Sequence, residues 1–528
     1  MASMRKTVLA LSIAMLALAG AYAAVTIINL TEWHVQATQP PVKKLAAYGV
    51  KRTAAYAQAE NGLNVTYVEV TAPLGCRVIF DPALVLSAST NLPAKLYAES
   101  VTGNYAFQLS VNVSLGGTQQ VQVVSGSITQ SAGAPVSVQG SANFRLEVLV
   151  GSGAPLGSEV ARLYTWLYFN ASTSKARQKI VWVFKTMSWL YCGWLYRKGH
   201  DIVGSTAGAV SGYQVRLRVC SGSGTDSGDT VYLNGKGRAD FGDLRFSYLQ
   251  PDGREVAIPY WVESVSGGCA TVWVKVPSIP ASPGTARIYV YYGNPSATSE
   301  SNGAATFIYF NDFSSAIGFT SFPYDKGADG WGDVDGSDSS GWQLFQGALK
   351  HRVTVDASHM YALTDVQNGN VAVCVLINLG KLEEIEEAGV AARHSVDANG
   401  YIRQYYARLI YAPSLIDSLT FRPRVNVELV KSTGLPSEVE PVHVYYSLQA
   451  NTWYKLEMRL YGGHITVYVD DSKVIDWTDS SPITSGSRLG LFSAYNKNVD
   501  HLYDNFYVRN YVEPEPSHGQ WLPEETDP

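Results

Sequence analysis

Between residues 258 and 298 the chain twice alternates its side chains with a period of two, and this pattern constrains its fold more than any other feature. Across 271–276, Val272, Val274 and Val276 alternate with Thr271, Trp273 and Lys275; across 287–292, Ile288 and Val290 alternate with Arg287, Tyr289 and Tyr291. A strand turns successive side chains to opposite faces, so each run predicts a strand with one buried face. The linker between them, rich in Pro, Ser and Gly, ends the first strand and is too long for a tight turn. Helical periodicity is scarce elsewhere, charged residues make up only 16%, and Tyr (33) and Gly (47) are abundant. The predicted class is therefore all-β. A length of 528 residues predicts three domains, read here as three β-sandwiches in tandem.

The first residues read as an export segment. Arg5 and Lys6 precede an apolar run over 8–19, and Ala21-Tyr22-Ala23 supplies the small-x-small pattern of a cleavage site, giving a signal peptide over 1–23. No later stretch is long and apolar enough to span a bilayer, so the expectation is an extracellular or cell-surface protein that meets the membrane only through this segment. The net charge of -5 and the lack of a basic cluster with interleaved aromatics argue against nucleic acid as a partner. Of five cysteines, Cys220 and Cys269 fall within one expected domain and are the expected disulfide, with buried free thiols as the alternative. No Cys/His spacing fits a metal site.

Residues 24–188 form the first expected sandwich, with short β patterns separated by Gly, Ser and Pro. All four N-x-S/T sequons, at Asn29, Asn64, Asn112 and Asn170, lie here and mark candidate glycosylation sites. An apolar run over 25–30 follows the expected cleavage site, and Gln-Pro-Pro follows at 39–41. In these two features the unit resembles exported subunits of microbial filaments, the biofilm-fibre proteins and archaeal bundling pilins. That resemblance implies self-assembly by donation of the N-terminal strand to a neighbouring subunit.

Residues 189–304 form the second expected domain. Trp194-Leu-Tyr-Arg-Lys198, Ser211-Gly-Tyr-Gln-Val215, Asp243-Leu-Arg-Phe246, Pro259-Tyr-Trp-Val-Glu-Ser264, the run over 272–280 and the closing Tyr-Tyr-Gly-Asn-Pro over 291–295 occur in order. This succession resembles a family of unknown function found in secreted archaeal and bacterial proteins. The resemblance implies an extracellular β-sandwich and carries no catalytic residues.

Residues 305–512 form the third. Phe310-Asn-Asp-Phe313, the strands over 453–460 and 465–470, and Tyr503-Asp-Asn-Phe-Tyr-Val508 resemble a concanavalin-A-like or laminin-G-like jelly roll. Laminarinase-like hydrolases share that fold and place two acids on one strand as Glu-x-Asp-x-(x)-Glu. The nearest run here, 383–387, lacks the Asp and reads as a solvated loop, so no catalytic residue is assigned and an enzyme is the lesser expectation. Glycan recognition is expected instead from Trp331, Trp342, Arg403, Tyr405 and Tyr406, because pyranose faces pack on rings while hydroxyls need directional partners. Asp333 and Asp335 in an Asp/Gly-rich loop, with Asp312 and Asp504 on the first and last strands, offer hard oxygens for a structural calcium ion. The stretch 513–528, with five acids, four prolines and no cation, reads as a disordered acidic tail. The functional expectation is an exported modular protein binding a glycan or a cell-surface protein, with a filament subunit as the alternative.

Overall fold

The computed structural model describes residues 42–46, 53–60, 63–169, 177–325, 336–352, 359–382, 385–416, 423–433, 438–495 and 498–526. The expected export segment, the apolar run over 25–30, Asn29, Asn170, Trp331, Asp333, Asp335 and the acids Glu383 and Glu384 lie outside the described residues. The chain divides into two compact units, 1–197 with 249–256 and 525–528, and 198–248 with 257–524. Both are built almost wholly from strands, in sandwich-like domains, as the alternation predicts. Among the described residues no helix is long and apolar enough to cross a membrane.

The first unit holds one ten-stranded sheet. Its order is Thr53–Glu60, Leu63–Pro73, Arg177–Met187, Glu159–Phe169, Arg77–Thr102, Val136–Val150, Leu109–Leu115, Thr118–Val124 and Ser127–Gln130, with Val42–Ala46 pairing the long strand Arg77–Thr102. That long strand shifts register at three places and pairs with both Val136–Val150 and Glu159–Phe169. Such shifts bend and twist a strand, which lets it serve two layers. Alternate side chains, among them Phe80, Leu84, Leu96, Leu146, Leu163 and Trp182, meet in one buried core. A disulfide joins Cys76 to Cys192.

The second unit contains two sandwiches, so the expected boundary near residue 304 separates no compact units. In the one nearer the N-terminus, Thr230–Tyr232, Val210–Cys220, Cys269–Ile279 and Tyr260–Ser266 form one sheet. Arg245–Leu249, Thr285–Tyr292, Tyr196–Val203 and Ser517–Trp521 lie in the other. Val272, Val274 and Val276 are buried between them, as the period of two requires. Cys220 and Cys269 are joined by a disulfide, and Cys374 is a buried free thiol.

The last strand of that sandwich corrects one expectation: the acidic tail is ordered. Ser517–Trp521 pairs with Tyr196–Val203, placing His200 against Trp521 and Ile202 against His518. Trp521 stacks on His200 with ring centroids 3.8 Å apart, and its indole N–H donates to the Gly228 carbonyl. Composition predicted disorder because the tail has too little apolar surface to build a core of its own. Here it borrows one, as an edge strand whose backbone groups find partners in an existing sheet.

The jelly roll consists of two eight-stranded sheets. Leu456, Met458, Leu460, Ile465, Val467 and Val469 from one meet Ala388, Val390, Tyr405, Ala407 and Leu489 from the other in its core. Asp470 and Asp471 both adopt positive φ, 48° and 62°, forming the tight turn expected between flanking strands.

Candidate functional site

The jelly-roll sheet containing Val371–Asn378, Trp453–Tyr461 and His501–Asn510 has a second face. Because Val373, Leu456, Met458 and Val508 point into the core, their neighbours Cys374, Lys455, Glu457, Arg459, Tyr507 and Arg509 point outward. That face packs on the first sandwich of the same unit. Trp261, Trp273, Phe307, Cys374 and Tyr507 form one buried cluster, with Phe307 and Tyr507 stacked at 4.4 Å. Lys455 ion-pairs with Glu263 at 2.6 Å, and the Tyr507 hydroxyl donates to the same Glu263 oxygen, Oε1, at 3.1 Å. Trp273 alternates with the buried valines, yet it is only 6% exposed, because the outer face of its strand is also covered.

Beside this cluster lies a polar crevice of about 220 Å³, lined by Tyr213, Arg216 and Trp273 of the sandwich, by Glu457, Arg459, Asp471 and Arg509 of the jelly roll, and by Glu515 and His518 of the tail. The strand register builds it. Arg509 and Arg459 flank Ala372 on neighbouring strands, and Glu457 flanks Cys374 one step along. Arg509 donates to Glu457 at 3.0 Å and to Glu515 at 2.6 Å; Arg459 donates to Glu457 at 2.9 Å and to Glu515 at 3.3 Å. The Tyr213 hydroxyl donates to Glu515 at 2.6 Å. The Asp470–Asp471 turn carries Asp471 to Arg216 at 3.1 Å. Burial alone would raise Glu457, but the guanidiniums of Arg509 and Arg459 draw it down to about 2. Glu515 is likewise held below the usual carboxylate range, chiefly by Arg509 against the pull of burial. Two donors remain: Nε of Arg459 and Nε of Arg509 are buried without a hydrogen-bond partner among the described residues. Buried donors of this kind call for an acceptor.

Of the residues expected to bind glycan, the four described ones, Trp342, Arg403, Tyr405 and Tyr406, are not assembled in one place. Tyr405 and Tyr406 are both fully buried on opposite faces of Ile402–Ile416. Tyr405 sits in the core and its hydroxyl bonds Asp479, while Tyr406 stacks on Phe492 at 4.7 Å. Trp342 is buried against His351 and Tyr503. Arg403 is exposed at a register shift beside Ser395. None of the three rings offers a free face, so this constellation is corrected: aromatic density in the sequence marked packing.

The described part of the run over 383–387 is corrected too. Glu386 and Glu387 open the strand Glu386–Val396 and are buried, not looped out in solvent. Glu387 accepts from Arg408 at 2.8 Å, and the same guanidinium reaches Glu428 at 2.7 Å and Glu440 at 2.8 Å. Burial pushes Glu387 up; it would also raise Glu428, but Arg408 and Arg424 together hold that one down. Glu386 accepts from His501 at 2.9 Å, and His501 and His351 each lie 2.9 Å from the Ser493 hydroxyl. This chain has the order of a hydrolase triad, but Ser493 and His501 are sealed in the jelly-roll interior. A substrate has no route to them, so they act as a buried polar network.

Asp504 and Asp312 do approach each other, because Tyr309–Asn311 pairs with His501–Asn510. Burial pushes Asp504 up to about 6 and the charge of Asp312 adds to it. The folded state therefore holds this proton more tightly than the unfolded chain, and stability is lost as pH rises from about 4 through 6. With partial solvent screening the cost is about 1 kcal/mol. Asp504→Asn should raise the melting temperature at pH 8 and leave it unchanged at pH 4. A calcium-dependent rise in the wild type that the variant lacks would instead assign the pair a cation. Among the described residues no group of three His, Cys, Asp or Glu side chains comes together to hold a metal ion.

Comparison with known proteins locates one part of the chain. Residues 240–326 match a family described as a domain of unknown function, DUF2341. That span includes the alternating strands over 271–276 and 287–292. No curated protein matches the chain. Among solved structures, a carbohydrate-binding module CBM66 from Bacillus subtilis is 16% identical, covering 32% of this chain and 91% of that one, with a TM-score of 0.26. A protein of unknown function with a galectin-like fold from Bacillus subtilis is 13% identical, covering 39% and 96%, at 0.31. A family 16 endo-glucanase from Bacteroides ovatus is 9% identical, covering 38% and 99%, at 0.31. Likenesses this distant carry no argument about ligand or reaction. The crevice has to be judged on its own groups.

Proposed function

We propose that this is an exported surface protein that binds a glycan in the crevice between the two sandwiches of its second unit. The observation that carries the reading is the pair of guanidiniums, Arg459 and Arg509, lining a polar cavity with an indole in its wall. Carbohydrate sites combine a ring with a few convergent donors and acceptors. The volume suits a single sugar unit, so the end of a chain is the natural ligand. The two disulfides support export, since such bonds persist in oxidising compartments.

The same groups argue for binding over hydrolysis. A glycosidase needs one carboxyl group that keeps its proton near neutral pH. Glu457 and Glu515 are both held ionised by arginines. A glycan array probed with the full chain should return a defined set of terminal sugars. Arg459→Met should weaken the tightest of them by about tenfold, the loss of one charge-assisted bond. Silence across plant and microbial glycans, or full binding by the variant, would remove the reading.

A further inference from the structure

The first unit carries a different surface, on the sheet face turned away from its core. Leu163, Thr165 and Leu167 of Glu159–Phe169 point inward, so Tyr164, Trp166 and Tyr168 point outward in a row. The register sets a second row across them. Trp166 lies between Tyr97 and Lys179, and Tyr168 lies between Lys95 and Arg177. Tyr97 is 44% exposed and Tyr168 37% exposed, with ring centroids 6.5 Å apart and edge to face. The Arg177 guanidinium sits 4.2 Å over the Trp166 ring, and the Lys179 ammonium sits 5.0 Å from the Tyr164 ring. Glu99, 3.9 Å from Lys179, is the one carboxylate that ion-pairs with these cations among the described residues.

From this alternation of ring and cation, the geometry points to a second binding surface: the platform Tyr97–Trp166–Tyr168, with Lys95, Arg177 and Lys179, takes an extended acidic polysaccharide. Rings on alternate residues of one strand recur about every 6.7 Å. Tyr97 stands on the neighbouring strand with its ring near perpendicular to Tyr168, so a linear ligand crossing the row packs one pyranose on the face of Tyr168 and the next against Tyr97, while its carboxylate or sulfate groups meet the flanking cations. Charge complementarity selects the acidic class, because three cations stand here against the single carboxylate of Glu99. Cation–π contacts hold Arg177 and Lys179 in place before a ligand arrives, which lowers the ordering cost of binding. Single-stranded nucleic acid also combines stacking with basic grooves, but it needs open ring faces in succession. Here cations cap Trp166 and Tyr164, so the polysaccharide is favoured. The platform belongs to the first unit and is independent of the crevice.

Affinity electrophoresis of the full chain in gels containing polygalacturonate, dextran or oligo-dT tests this directly. Polygalacturonate should retard the protein at about 50 mM NaCl and lose most of that effect at about 500 mM, as screened charges require; dextran should not retard it. Tyr97→Ala with Tyr168→Ala should weaken binding at least about tenfold, from lost ring contacts. Lys95→Glu with Lys179→Glu, two surface charge reversals, should abolish it, and they carry the test if the tyrosine pair melts early. Absence of retardation by polygalacturonate at low salt, retention by both double variants, or stronger retardation by oligo-dT would overturn the assignment.

Discussion

Glu515→Ala should cost the second unit about 3 kcal/mol, and removal of residues 513–526 should cost more still. Arg509 is 1% exposed and rests on two carboxylates, Glu457 and Glu515. Without Glu515 a single carboxylate faces two guanidiniums, those of Arg459 and Arg509, in a desolvated place. Breaking a buried ion pair from one side costs about 3–5 kcal/mol, and partial exposure of Glu515 puts it at the lower end. Tail removal also strips the edge strand from Tyr196–Val203, the Trp521–His200 stack and the Glu513–His464 contact at 2.6 Å. The readout is the unfolding transition of the second unit in the full chain, followed apart from that of the first, since two units need not unfold together. A shift within about 0.5 kcal/mol of wild type would mean that the tail merely lies on the surface.

The same site gives the cooperative unit an acid limit. Glu457 has a folded pKa near 2, below its unfolded value of about 4.5. Its contribution is therefore fully present above pH 5 and is lost as pH falls toward 2. Glu457→Gln should lower stability at pH 7 and flatten its decline in acid.

Arg408→Met should destabilise the jelly roll by about 3–5 kcal/mol, because it leaves Glu387 and Glu428 facing each other in a buried site with no cation between them. Arg424 still reaches Glu428 at 2.8 Å, so Glu387 is the group left without compensation. The informative partner is the triple variant Arg408→Met, Glu387→Met, Glu428→Leu. Replacing all three charges by apolar groups of similar size should recover most of the loss, as a buried triad behaves when its desolvation cost is removed together with its attraction. A single variant as stable as wild type would show that solvent reaches the site, contrary to the burial of all three groups.

Local patterning foretold the strands well. The valines at 272, 274 and 276, and the alternation at 456–460 and 465–469, each fall with one face in a core. The Asp470–Asp471 turn was equally legible, since short polar residues tolerate positive φ. The site was much less so. Tyr405, Tyr406 and Trp342 drew attention because rings bind sugars, but rings also fill cores, and residue type alone does not separate the two uses. The crevice residues left only a faint trace: Arg459 and Arg509 alternate with Met458 and Val508, which marks an outward face but not what meets it. Glu386 and Glu387 looked solvated because four acids in five residues rarely bury; Arg408 and His501, distant in sequence, supply the partners that permit it.

What the sequence determined by itself was therefore the period: which side chains share a face, where strands stop, and that the alternating stretch over 258–298 builds strands. A pleated strand imposes that pattern locally, whatever surrounds it. Only the tertiary structure decided what covers each outer face. Trp273 stands on the side of its strand that a one-sided sheet would leave in water, yet it is buried because a jelly-roll face lies over it. The tail is ordered because a sheet edge elsewhere in the unit accepts it. Both outcomes depend on surfaces far apart in the chain, and burial energy is set by where those surfaces meet rather than by the residues that precede and follow.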